Sequence, residues 1–265
     1  MTDPQDLLLD FEKGFPDHYK EYYAAKRNNF FASIQAAPRL WSAFMLLDKI
    51  WMREFEDMRT VIDTGRMFPM MLFMNAHSKV RIGFELGFSC CLPEAQSMFS
   101  DAIESAAHAH RVFFSPDLQK LWISRDDDAD SLKAFNAEFW HFKEERLFDG
   151  LPELYQRWKQ YSDWGSHTNP ISIVAKFVPH ETDKHLDWRM NYTGVEPRTL
   201  ITALFVLLQD FSLMEKVLFS DCSDRLKFDH ELLSMRSRFD KQKQALRRSI
   251  IDEFQIPPPT MAAAR

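Results

Sequence analysis

The sequence predicts an all-α protein, a multi-helix bundle of about eight helices with a small hairpin or extended excursion around residues 170–197. Glycine scarcity is the first sign. The 265 residues hold 7 Gly against 24 Phe, 13 Met and 7 Trp, where average usage would supply about 18 Gly. Repeated tight hairpins need glycine, so sandwiches, barrels and propellers are excluded. Gly-rich loops for phosphates or dinucleotides lose their raw material as well. The second sign is apolar residues recurring at threes and fours over long stretches. The third is proline and glycine standing where helices start and stop.

Tyr19 to Ala36, led in by Pro16-Asp17, is the first predicted helix. From Pro38 to Gly65, Leu40, Phe44, Leu47, Trp51, Phe55, Met58 and Ile62 form one stripe, and Gly65 suits the position after a helix end. Met67 to Cys90 is apolar almost all round, which predicts a central buried helix. Pro93 opens a helix through Phe114, and Ser115-Pro116 reads as N-cap and first residue of a short helix ending near Trp122. Leu132–Phe148, stopped by Gly150, and Pro152–Trp164 follow. Ile171–Val178 and His185–Tyr192 are then β-branched or loosely alternating, around charged Glu181–Lys184. Arg198–Phe219 and Ser223–Phe254 are two long amphipathic helices, and Pro257-Pro258-Pro259 cannot continue the second. Without an internal repeat or a break in composition, residues 1–255 are expected to form one domain and 256–265 a disordered tail.

A net charge of −6 and a pI near 5.9 give no global pull toward nucleic acid or anionic membrane. Three cysteines, of which Cys90 and Cys91 are adjacent, make no disulfide framework and point to a reducing compartment. Asp3, Asp6 and Asp10 stand where a signal peptide needs basic residues. The most apolar runs, Met67–Met74 and Ile201–Leu208, fall short of the roughly 20 residues of a membrane span. The expected location is cytoplasmic, without membrane association.

Walker, G-x-S-x-G, H-E-x-x-H and C-x-x-C strings are absent, so candidate chemistry lies in polar residues placed on helices. Glu104, His108 and Arg111 share one face at i, i+4, i+7, joined by Asp101. A carboxylate and an imidazole one turn apart make a metal half-site or a carboxylate-oriented general base, against the plain alternative of a wet or ion-paired face. Ala102, Ala106, Ala107 and Ala109 leave another part of that helix small enough for close approach. In Tyr161–Pro170, Ser162, His167 and Asn169 gather at a helix end, where an imidazole is tunable; capping alone is the alternative. Arg81 and Glu85, one turn apart in an apolar helix, are expected to offset each other or to meet Glu104 or His167 across the bundle. Arg225, Lys227, Arg236, Arg238, Lys241, Lys243, Arg247 and Arg248 make the last helix a candidate surface for RNA or an acidic partner, or a solvated face. Asp126–Asp130 spaces carboxylates like a calcium loop, but Ser131 replaces the required Gly and Ala137 the bidentate Glu, so a helix-capping loop is expected. Cys90 and Cys91 have no context that lowers a thiol pKa and are expected in the core.

Two stretches together resemble a known group. One is Pro93–Arg125, with Ala95-Gln96-Ser97-Met98-Phe99, Ile103-Glu104-Ser105-Ala106-Ala107-His108-Ala109-His110 and Ser115-Pro116-Asp117. The other is Leu151–Pro170, from Leu154-Tyr155 to Ser162 and His167-Thr168-Asn169-Pro170. The pair is similar to uncharacterised bacterial and phage-defence-associated all-helical domains, distantly like HEPN and abortive-infection proteins, over roughly Met67 to Leu218. In that group a helix bearing R-x-x-x-E precedes a turn with Ser, His and Asn, so the resemblance marks Glu104, Ser162 and His167. Ser100 stands where the group has its Arg, and Tyr161 and Ser162 stand where HEPN ribonucleases place an Arg before the catalytic His. A cleaved phosphodiester would lack its charge stabiliser.

The resulting expectation is a non-enzymatic interaction or regulatory module, self-associating or meeting a protein partner, in stress or phage defence. The alternative is a HEPN-like metal-independent ribonuclease or a metal-assisted hydrolase using His167 with Glu104 and His108. A third reading places a small-ligand pocket among the aromatics. Site candidates are Glu104, His108, Ser162 and His167 for catalysis and Arg81, Glu85, Arg111 and Asn169 for binding, with no metal or cofactor expected.

Overall fold

The computed structural model describes residues 14–58, 64–140, 144–164, 177–181, 186–190, 194–224 and 226–254. These form ten helices and one two-stranded sheet: α1 (Asp17–Ala36), α2 (Pro38–Met58), α3 (Thr64–Phe88), α4 (Leu92–Phe113), α5 (Pro116–Ile123), α6 (Ala129–Phe139), α7 (Glu144–Leu147), α8 (Pro152–Trp164), β1 (Phe177–Glu181), β2 (Leu186–Met190), α9 (Pro197–Asp221) and α10 (His230–Phe254). The fold is an all-α multi-helix bundle. Among the described residues no helix is long and apolar enough to cross a membrane.

Helix starts follow side-chain chemistry. Ser115 Oγ accepts from Leu118 N at 3.4 Å to open α5, and Asp128 Oδ1 accepts from Ser131 N at 2.7 Å to open α6. The acidic run is thus the capping loop its spacing left it to be. Glu196 holds Arg198 N at 2.9 Å and Thr199 N at 2.8 Å ahead of Pro197-led α9. Asp229 Oδ1 accepts from Leu232 N at 2.8 Å, which is why α10 begins at His230 and not at Ser223. Between α3 and α4 the chain reverses in a Schellman turn: Cys91 N donates to Leu86 O at 2.8 Å and Cys90 N to Gly87 O at 2.9 Å. Cys90 takes the left-handed position, φ 64°, usually given to glycine.

Other boundaries shift. The helix from Pro38 ends at Met58, and Gly65 lies inside α3 instead of terminating its predecessor. Leu132–Phe148 divides into α6 and the single turn α7. The predicted excursion contains an antiparallel hairpin, with Phe177 opposite Met190 and Glu181 opposite Leu186. Most of the expected first strand, residues 171–176, and the tail 256–265 lie outside the described residues.

Met67–Cys90 was expected to be buried all round, and that is corrected. In α3 the buried stripe is Phe73, Ala76, Val80, Phe84 and Phe88, while Met67, Met71, Met74 and Ile82 face solvent. The central position belongs to α4, which lies against α3, α8 and α9. Its Ala95, Ala102, Ala106, Ala107 and Ala109 are fully buried, the close approach their size allows. Gly83 completes the α3–α4 contact, since a Cβ there would stand 2.7 Å from the Phe99 ring. Aromatic rings fill the centre: Phe44 stacks on Phe84 at 3.9 Å and Trp51 on Phe211 at 5.2 Å between centroids.

Candidate functional site

Alanines make one face of α4 its packing surface, so its polar residues emerge on the other. Asp101, Glu104, Ser105 and His108 there form one wall of a cleft of about 520 Å³. Leu72, Asn75 and Lys79 of α3 flank them, and Trp122, Arg125 and Asp126 at the end of α5 close one side. Opposite stand Leu132, Phe135, Asn136 and Phe139 of α6, with Trp140 just beyond it. Trp122 meets the rings of Phe135 and Phe139 edge-on at 5.1 Å and 4.8 Å, and His108 lies 5.6 Å from Phe139. The cleft therefore has an aromatic wall and a polar wall.

Its charges are mostly matched internally. Lys79 Nζ lies 3.1 Å from Asp101, and Arg125 Nε 3.2 Å from Asp126. Glu104 Oε1 lies 3.9 Å from His108 Nε2. Burial holds His108 down at about 4, with the Arg111 cation adding to the effect, so the imidazole is neutral at pH 7. Burial also raises Glu104 above its ordinary value; the Trp158 indole works against this, Asp101 reinforces it and Lys79 opposes it. Ser105 Oγ donates to Leu72 O at 3.0 Å and accepts from Asn75 Nδ2 at 3.0 Å, so its hydroxyl is committed to structure.

The other candidates disperse. Arg111 turns from Glu104 to α6, donating to Glu138 O at 2.8 Å and to the Glu138 carboxylate. Ser162 Oγ lies 3.5 Å from Ser100 Oγ on the α4–α8 seam. The expected Arg81–Glu85 partnership is corrected: Arg81 grips Asp48 through both carboxylate oxygens at 2.7 Å, and Glu85 takes Lys26 of α1 at 3.2 Å. Each charge finds a partner on a neighbouring helix, because α3 presents residues one turn apart to different neighbours. His167 and Asn169 lie outside the described residues.

Sequence reasoning did not single out Asn75, Lys79, Ser105, Trp122 or Asn136, which complete the cleft. It also passed over three buried charge networks. Asp48, between Arg81 and His77 (Nε2 at 2.8 Å), is held down to about 2; its hydrogen bonds to Arg81 and His77 outweigh the opposing effect of burial. Asp210 lies 3.0 Å from Arg157 and accepts from the Tyr161 hydroxyl; burial raises it to about 6. Glu54 and Glu215 share Arg236, which sits 3.5 Å over the Phe219 ring, and burial raises both carboxyls. The signal was an acid on an apolar stripe, as with Glu54 between Trp51 and Met58. Among the described residues no group of three or more His, Cys, Asp or Glu could hold a metal ion.

No protein-family model, curated protein or solved structure matches the chain. The likeness to HEPN domains therefore rests on the two sequence stretches alone.

Proposed function

We propose that the protein is a non-enzymatic binding module that holds a small ligand in the cleft between α3, α4 and α6. The observation carrying this reading is the cleft itself, with aromatic rings facing polar side chains around a volume of ligand size. Its one hydroxyl, on Ser105, is engaged with a backbone carbonyl. A thermal-shift screen with compounds of every charge type tests it, run beside Leu132→Trp, which fills the cleft from an exposed position. Compounds that raise the melting temperature of the natural protein and not of the variant support the reading. A silent screen, or shifts equal in both proteins, rejects it.

A second reading has its own observation: a carboxylate 3.9 Å from a neutral imidazole in the cleft, Glu104 and His108, is an acid–base pair suited to hydrolysis. Incubation with total RNA, with and without divalent metal, tests it. Cleavage that Glu104→Gln or His108→Ala abolishes supports it, and intact RNA rejects it. A protein partner or self-association would engage α1, whose Tyr19, Tyr22 and Tyr23 are exposed; light scattering after size exclusion reads this directly.

A further inference from the structure

We propose that the ligand of this cleft is a small organic cation, an ammonium with an aromatic or aliphatic body, seated with its charge at Glu104 and its body on the partly exposed ring of Trp122. The inference rests on the binding reading above and names the chemistry of the ligand. Charge balance leads to it. Of the three carboxylates lining the cleft, Asp101 is matched by Lys79 and Asp126 by Arg125. Among the described residues the ion contact of Glu104 is with His108, whose imidazole is neutral at pH 7, while Lys79, bound to Asp101, acts on Glu104 from farther away. With Glu104 ionised, the lining carries one negative charge in excess of its own cations.

The surroundings of that charge suit an organic cation better than a metal ion or an anion. An inorganic divalent cation wants six or more oxygen ligands, or a set of imidazoles and thiolates, and the described residues supply no such group. An anion would meet the Glu104 carboxylate with both neighbouring cations already engaged. An ammonium group donates a charge-assisted hydrogen bond to Glu104, and the ring of Trp122 attracts positive charge and covers apolar carbon. Asn75 gives one amide N–H to Ser105, and its carbonyl oxygen is an acceptor for a donor in the cleft. Glu104, Trp122 and Asn75 lie on three helices of the bundle, held by edge-on ring contacts and by hydrogen bonds, so the site exists before a ligand arrives.

Isothermal titration of the full chain at pH 7.5 with phenethylamine, phenethyl alcohol and hydrocinnamate tests the proposal, since the three share a body and differ in charge. The expected result is binding of the amine about tenfold or more tighter than of the alcohol, with no binding of the acid. Glu104→Gln should lose the amine preference by the same factor while keeping its helical signal and its melting temperature. Should that variant fail to fold, the order of the three probes on the natural protein decides alone. Equal or tighter binding of the alcohol or the acid, lost in Leu132→Trp, overturns the cation while leaving the binding reading intact. Silence for all three probes together with a silent wider screen ends both.

Discussion

Glu54 and Glu215 face each other in the dry seam between α2 and α9, and one guanidinium, from Arg236, serves both. Two carboxylates cannot both stay ionised there, so the pair keeps a proton. Burial, followed by the charge of Glu215, pushes Glu54 from its ordinary 4.5 up to about 10. A carboxyl raised in the folded state contributes stability that is complete below 4.5 and is lost as pH rises toward the folded value. Between pH 7 and 9 the folded protein therefore holds one proton more than the unfolded chain, and stability falls by about 1.4 kcal/mol per pH unit. Across that window the loss approaches about 3 kcal/mol. Asp210, raised to about 6, and His108, lowered to about 4, are common to the natural protein and the variant below, so they cancel in the difference between the two. Glu54→Gln keeps an acceptor for Arg236, offers Glu215 a permanent N–H, and removes the proton from the balance. Urea unfolding at pH 7, 8 and 9, followed by circular dichroism, should show the natural protein losing stability relative to the variant at that slope. A difference that stays constant with pH would mean both carboxylates are ionised inside the fold, and the shared proton would be wrong.

Asp48→Asn should cost about 2 kcal/mol at neutral pH, because the carboxylate that Arg81 and His77 hold at about 2 is lost. That deficit should shrink as pH falls below 3.8 and close below 2, which chemical denaturation across an acid series would reveal. Gly83→Ala should destabilise by about 1–3 kcal/mol despite the better helix propensity of alanine, since its methyl meets the buried Phe99 ring; a thermal melt checks it. Cys90→Gly should raise stability by about 1 kcal/mol, relieving the left-handed backbone of the α3–α4 turn. Glu196→Ala should cost about 1 kcal/mol and fray the start of α9, which hydrogen exchange at Arg198 and Thr199 would report.

The helices were legible because their causes are local. Proline at Pro38, Pro116, Pro152 and Pro197 marks real helix starts, and the Leu40–Met58 stripe is the buried face of α2. Composition misled where solvent, not sequence, decides burial: α3 reads as apolar all round, yet Met67 and Met71 are exposed because no helix among the described residues covers that side. The Glu104–His108 pairing was legible from one turn of spacing. The partners of Arg81 and Arg111 were not, since Asp48 lies 33 residues before the first and Glu138 27 residues after the second. No periodicity encodes which helix will stand opposite. The aromatic wall of the cleft escaped for the same reason: Trp122 and Phe139 belong to separate short helices that meet only in the fold.

Arg236 also bears on how the chain can be made. α10, which carries it, docks chiefly on α2, and the Arg236–Glu54 contact spans 182 residues. During synthesis Glu54 and Glu215 emerge from the ribosome before their counter-ion, so the seam between α2 and α9 has no guanidinium to close around until α10 is released. A nascent chain should therefore stay open at that seam, slow to gain protease resistance, and then lock late in one step.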